Sequence, residues 1–148
     1  MEYLSFKFLH IVIAIIAMGT SAGLGIVLEL YGNHPTHGPF VLRAIHRLLV
    51  LVVVPGYLLM LATGLWLVHL SWSLTMGWIQ AALVLWGVAS ILLPSALAVL
   101  RKQITLLETT GPASVSYRRM SLLERLLGAG VGLVVVVTLY LMVVKPGA

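Results

Sequence analysis

The chain has no cysteine among its 148 residues. That excludes structural disulfides, iron–sulfur clusters, thiolate zinc sites and covalently attached c-type haem. Any metal would have to be held by His, Met, Glu or carbonyl ligands. Charge is almost as scarce. Only 9% of residues are charged and only four are acidic, against about 25% charged in a soluble domain. A soluble chain so poor in charge would have no polar surface to face water. With so few acids there is also no row of carboxylates to line a pump or channel. The sequence has no phosphate-binding glycine loop, nucleophile–base constellation, internal repeat or low-complexity tract.

What the chain has is apolar sequence, 61% of it hydrophobic. A spanning helix needs about 20 mainly apolar residues, and four segments meet this: Phe6–Leu30, Leu42–Leu70, Met76–Leu100 and Leu122–Val144. The expected fold is an all-α, four-transmembrane-helix bundle, a single integral membrane domain over residues 1–148. Met1–Lys7 lacks the basic leader of a signal peptide, since Glu2 and Lys7 cancel, and the apolar run is long enough to span, so it reads as a retained first helix. Gly32, Pro35, Gly38 and Pro39 mark the first connection. Ser71–Thr75 forms a tight second one, flanked by Trp66, Trp72 and Trp78 as an interfacial belt. The third connection is read as longer, broken by Gly111–Pro112.

The net charge of +5 does not indicate nucleic acid, because the basic residues sit at segment ends and so act as topology and headgroup signals. Arg43, Arg47, Arg101, Lys102, Arg118, Arg119 and Arg125 fall on one side; only Lys7 and Lys145 fall on the other. The expected location is a bacterial-type inner membrane, multi-pass, with both termini on the non-cytoplasmic side and the lipid bilayer as the first partner.

Small residues predict close packing. Ala14, Ala17, Ser21 and Gly25 share one face of the first helix. Gly128 and Gly132 form a small-x-x-x-small pair in the fourth and are expected to make a close helix contact. Pro55 and Pro94 each remove a backbone donor and are expected to kink their helices. The scattered methionines read as apolar filling.

Ionisable groups inside a membrane are costly, which makes each a functional candidate. Histidine ligates metals well and is cheap to bury when neutral. His10 lies in the outer half of the first helix, on the face of Ala14, Ala17, Ser21 and Gly25. His69 ends the second helix on the same side, and Gln80 opens the third there. His10 and His69 together match the two axial imidazoles of a haem b site, with Gln80 nearby as a hydrogen-bond partner. On an ideal helix, however, His69 lies about 140° from the face of His46 and Gly64, so an interfacial position is the competing reading. For His10 the alternatives are a hydrogen-bonded interior histidine or contact with a quinone. His46 lies on the basic side, where Glu29 is expected to pair with Arg43, Arg47 or His46; otherwise His46 would ligate a second, inner haem. His34 and His37, with His46, offer a copper or zinc site, against the simpler reading of an exposed turn.

Several of these pieces resemble one superfamily. Leu9-His10 followed by Gly19 resembles the first helix of HemJ-type membrane proteins and of CopD-like domains. Ile45-His46-Arg47, Pro55-Gly56 and Thr63-Gly64-Leu65-Trp66 are similar to their second helix. The ending Met142–Pro146 resembles a related four-helix bacterial family of predicted integral membrane proteins. The resemblance implies haem b binding through His10, with copper handling as the CopD-like alternative. HemJ-type proteins are implicated in protoporphyrinogen oxidation. Here Gln80 stands near the Lys of the HemJ pattern, and Met18 replaces the usual aromatic before the helix-1 Gly, which argues against that activity. The function expected is a haem-associated membrane protein or an accessory subunit of a respiratory or photosynthetic redox complex. A cofactor-free assembly subunit is the competing class.

Overall fold

The computed structural model describes residues 1–34 and 36–147; Pro35, read above as part of the first connection, lies outside them. The chain is an all-α membrane protein with four helical spans long and apolar enough to cross a bilayer. Its elements are α1 (Glu2–Tyr31), α2 (Gly38–Leu48), a π turn (Leu49–Val53), α3 (Val54–Ser71), α4 (Gly77–Thr110) and α5 (Val115–Val144). α2, the π turn and α3 form one continuous span, Gly38–Ser71. Only 6% of the most apolar stretch of α1 and of α5 is buried. Many of their Leu, Ile and Val side chains, among them Ile15, Ile26, Leu133 and Val136, face outward, as lipid requires.

The π turn has a local cause. Pro55 has no amide hydrogen, so the i→i−4 ladder fails there, and just before it the Val54 amide donates to Leu49 O, five residues back. One widened turn absorbs the irregularity that proline imposes. α4 instead continues through Pro94.

α4 runs on to Thr110, well past Leu100, and α5 starts at Val115, before Leu122. The third connection is therefore short, not long. Hydropathy marks only the membrane-buried part of a helix; residues 101–110 and 115–121 hold no breaker and continue as amphipathic extensions. Gly111, at φ 76° and ψ 170°, ends α4 in a positive-φ conformation that favours glycine. Ser114 caps α5, its Oγ accepting from the Tyr117 amide at 3.2 Å.

The ion pairs differ from those expected. Glu29 pairs with Arg125 of α5 at 3.3 Å rather than with Arg43, Arg47 or His46. Arg43 pairs with Glu108, a residue that only the long α4 brings within reach.

Contacts are uneven along the bundle. α1 packs on α3, α4 packs on α5, and α2 touches both α1 and α4; α1 and α5 touch little, and α3 and α4 scarcely approach. The α2 end is thus closed. Leu42, Ile45 and Leu100 form its core, and Tyr117 and Gln103 are buried there as well. The Tyr117 hydroxyl meets the Gly32 carbonyl at 3.2 Å and tethers α5 to the end of α1.

The close contact that small residues make is between α1 and α3. A Cβ added at Gly56 would lie 2.7 Å from the Ala17 Cβ. Gly128 and Gly132 do not fulfil their expected role within the chain: both are exposed and nothing lies within 4 Å of either Cβ position. Gly130, between them in sequence, is the α5 glycine that faces α4, at 3.5 Å from Leu92. The helical phase of α5 turns the pair outward.

Candidate functional site

Between the two helix pairs, in the half away from α2, lies a cavity of about 970 Å³. Its volume is in the range of small-molecule and cofactor sites. α1 contributes His10, Ala14, Ala17 and Ser21, so the small-residue face read from the sequence does line a slot; Gly25 lies beyond it. α3 contributes Tyr57 and Met60, α4 contributes Trp78 and Trp86, and α5 contributes Thr138 and Met142.

His10 is the central polar group. It is buried, and its Nδ1 lies 2.7 Å from Thr63 Oγ1. The same hydroxyl lies 2.7 Å from Leu59 O and 3.3 Å from Met60 O. Carbonyl oxygens only accept, so the single Thr63 proton is directed to α3's own backbone. The hydroxyl is then assigned as acceptor from His10, with Nδ1 as the protonated nitrogen and a lone pair left on Nε2. Gly64 supports the same ring edge: a Cβ there would stand 3.3 Å from His10 Cε1. Among the described residues Nε2 makes no hydrogen bond. The imidazole is thus fixed at one edge by α3 and offers a lone pair at the other, the arrangement of a ligating histidine with an outer-shell partner.

Two aromatic groups bound the cavity. Tyr57 and Trp86 stack at 5.1 Å and 4° between planes, and the Tyr57 hydroxyl donates to the Trp86 carbonyl. This pair joins α3 to α4 where their backbones scarcely meet. At the mouth, Trp72 and Trp78 meet edge to face at 5.4 Å. Lys145 Nζ lies 4.3 Å from the centroid of Trp72 and 5.8 Å from that of Trp78, within cation–π range. Lys145 also ends α5 in a left-handed conformation, φ 47°. Lys7 lines the cavity too.

The other residues singled out in the sequence are not brought to this cavity. His69 is exposed, with its ring 5.6 Å from that of Trp66. It stands six residues after Thr63, about 120° around the helix at about 100° per residue. Gln80 is exposed beside the buried Trp78 and Ile79. His46 accepts from Arg101 Nε at 2.8 Å through its own Nε2; that nitrogen is engaged, and His46 lies seventeen residues, about 25 Å of helix, from Thr63. His34 and His37 stack at 4.6 Å. The His34 Nδ1 accepts from the amides of Thr36 and His37. Among the described residues no group of three or more His, Cys, Asp or Glu converges as a metal site.

The model of a family of predicted integral membrane proteins, DUF2269, matches residues 4–146. The chain belongs to this family. No curated protein and no solved structure matches it. The DUF2269 match reaches all four spans and includes His10 and every cavity residue named above.

The residue that sequence reading left without a role is Thr63. Its signal was present: a hydroxyl in an apolar run, beside a glycine, in a span facing His10. What sequence lacked was the phase of α3 relative to α1, which the π turn sets.

Proposed function

We propose that this membrane protein holds a b-type haem in the outer cavity, with His10 as an axial ligand, and serves as a small redox subunit of a larger membrane complex. One observation carries the reading: the Thr63-anchored imidazole whose Nε2 lone pair is left free. An imidazole in this tautomer suits a metal centre. It does not suit a quinone carbonyl, which would need a donor at that nitrogen.

The remaining residues fit the group. The walls are aliphatic and aromatic, as a macrocycle in a membrane requires. Lys7 and Lys145 at the mouth would hold its two carboxylates. The buried indole nitrogens of Trp78 and Trp86 have no acceptor among the described residues, a shortfall that ligand acceptor atoms would relieve. With His69 turned away, the cavity lining offers the thioethers of Met18, Met60 and Met142 and the phenol of Tyr57 as further ligand-type groups. The haem supplies one-electron transfer. The protein's part is to hold the imidazole, exclude water and bind the carboxylates. The resemblance of Leu9-His10 and Gly19 to HemJ-type first helices agrees with this. The distribution of Lys and Arg supports a cavity mouth and both termini on the non-cytoplasmic face of an inner membrane.

The test is a reduced-minus-oxidised visible spectrum of the purified full-length protein, expressed with a haem precursor. The wild type should show a Soret shift and an α band. His10→Ala should lose the bound haem, while His69→Ala and His46→Ala should keep it. A wild-type protein that stays colourless even after haem is added back would refute the proposal and leave an assembly subunit as the reading.

A further inference from the structure

On the basic side of the bundle, far from His10, a second cavity of about 320 Å³ is lined by residues including Asn33, Tyr117, Arg118, Ser121, Leu122 and Arg125. Five of these lie on α5, and Arg118, Ser121, Leu122 and Arg125, at spacings of three and four, share one face. The same face continues toward the membrane as Gly128, Ala129 and Gly132. All three are exposed, and nothing lies within 4 Å of a Cβ at either glycine. Leu126 and Leu133, also exposed, stand along its flank. The result is a bare furrow that starts at two guanidinium groups and runs into the apolar part of α5.

The charge is unbalanced. Arg125 Nε lies 3.3 Å from Glu29 Oε2 as an ion pair, and the terminal nitrogens of Arg125 have no partner among the described residues. Arg118 makes no ion pair there either. Ser121 Oγ is held only by a long bond, 3.4 Å, to Asn33 Oδ1. The planar fork of arginine matches phosphate oxygens in a two-point bond. From Arg125 to Gly132 the furrow descends about 10 Å, within one leaflet of a hydrocarbon core about 30 Å thick.

We propose that this face of α5 binds one anionic phospholipid. Its phosphate would sit against Arg118, Ser121 and Arg125, and an acyl chain would lie over Gly128, Ala129 and Gly132. A second copy of the chain fits the face less well. Parallel packing of two such helices about a twofold axis would set one Arg118–Arg125 pair against the other.

The experiment exchanges the full-length protein into bilayers of phosphatidylcholine with or without phosphatidylglycerol, then measures retained lipid and particle mass by native mass spectrometry. One phosphatidylglycerol per chain is expected to survive transfer to detergent. Arg118→Gln should weaken its retention about fivefold, the electrostatic share of one basic residue near an anionic surface. Gly128→Leu combined with Gly132→Leu should weaken it as well, by filling the furrow. Neither glycine touches the bundle, so this variant should fold. Retention at wild-type levels in both variants would overturn the proposal. Inorganic phosphate displacing the lipid's effect in full would mean a free-anion site instead. A wild-type dimer that the leucine variant abolishes would identify the face as a contact between copies.

Discussion

The His10 imidazole and the Thr63 hydroxyl lie 2.7 Å apart, joining α1 to α3 across the wall of the outer cavity. The hydroxyl acts in two directions: it gives its proton to α3's backbone and takes one from His10. Thr63→Val keeps the shape and removes both bonds, so ring orientation and tautomer are released. Loss of an outer-shell partner typically costs about 10–100-fold in metal affinity, and haem retention in Thr63→Val should fall by that order with an altered Soret band. Thr63→Ser should restore both. Equal retention and an unchanged band in the valine variant would remove Thr63 from the site.

Gly56 and Gly19 should respond to alanine with opposite signs. Each gains about 1 kcal/mol of helix propensity on replacement. At Gly19 nothing lies within 4 Å, so thermal stability in detergent should hold or rise. At Gly56 the new methyl would come 2.7 Å from the Ala17 Cβ, and overpacking of this kind costs about 1–3 kcal/mol. Gly56→Ala should therefore lower the melting temperature. Matching melting curves for the two variants would show that α1 and α3 are not in contact.

Tyr57→Phe isolates the hydroxyl that spans α3 and α4. The ring can still stack on Trp86, while the bond to the Trp86 carbonyl and the longer one, 3.4 Å, to Ser90 Oγ are lost. Interhelical hydrogen bonds within bilayers average about 0.6 kcal/mol. The variant should lose stability by about that amount, read by denaturant titration in micelles. Tyr57→Ala should lose several times more, since stacking goes too.

Labelling decides the orientation. With no native Cys, single cysteines can be placed at Ala113, in the short α4–α5 connection, and at Gly147. A membrane-impermeant thiol reagent applied to intact cells should modify the Gly147 position and spare Ala113. The reverse pattern would invert the topology.

The spans were legible in the sequence because an apolar helix in lipid satisfies its own backbone and needs no neighbour to be defined. The face of His10, Ala14, Ala17 and Ser21 was legible for a related reason: within one uninterrupted helix, 3.6 residues per turn fixes which side chains align. The same rule already cast doubt on His69. It failed for Gly128 and Gly132, since spacing shows that two residues share a face but not which way that face points. It missed the ends of α4 and α5, where hydropathy falls while the helix continues, and so missed Glu108 as the partner of Arg43.

By itself the sequence determined a cysteine-free, four-span membrane chain, the side on which its positive charge gathers, and a lone polar imidazole deep in the first helix. Tertiary structure alone decided what that imidazole meets. The π turn before Pro55 sets the phase of α3, the phase brings Thr63 and Gly64 to His10, and the Thr63 hydroxyl fixes which ring nitrogen is left free. Relative rotation of two helices is settled by side-chain packing between residues fifty positions apart, and no local pattern encodes it.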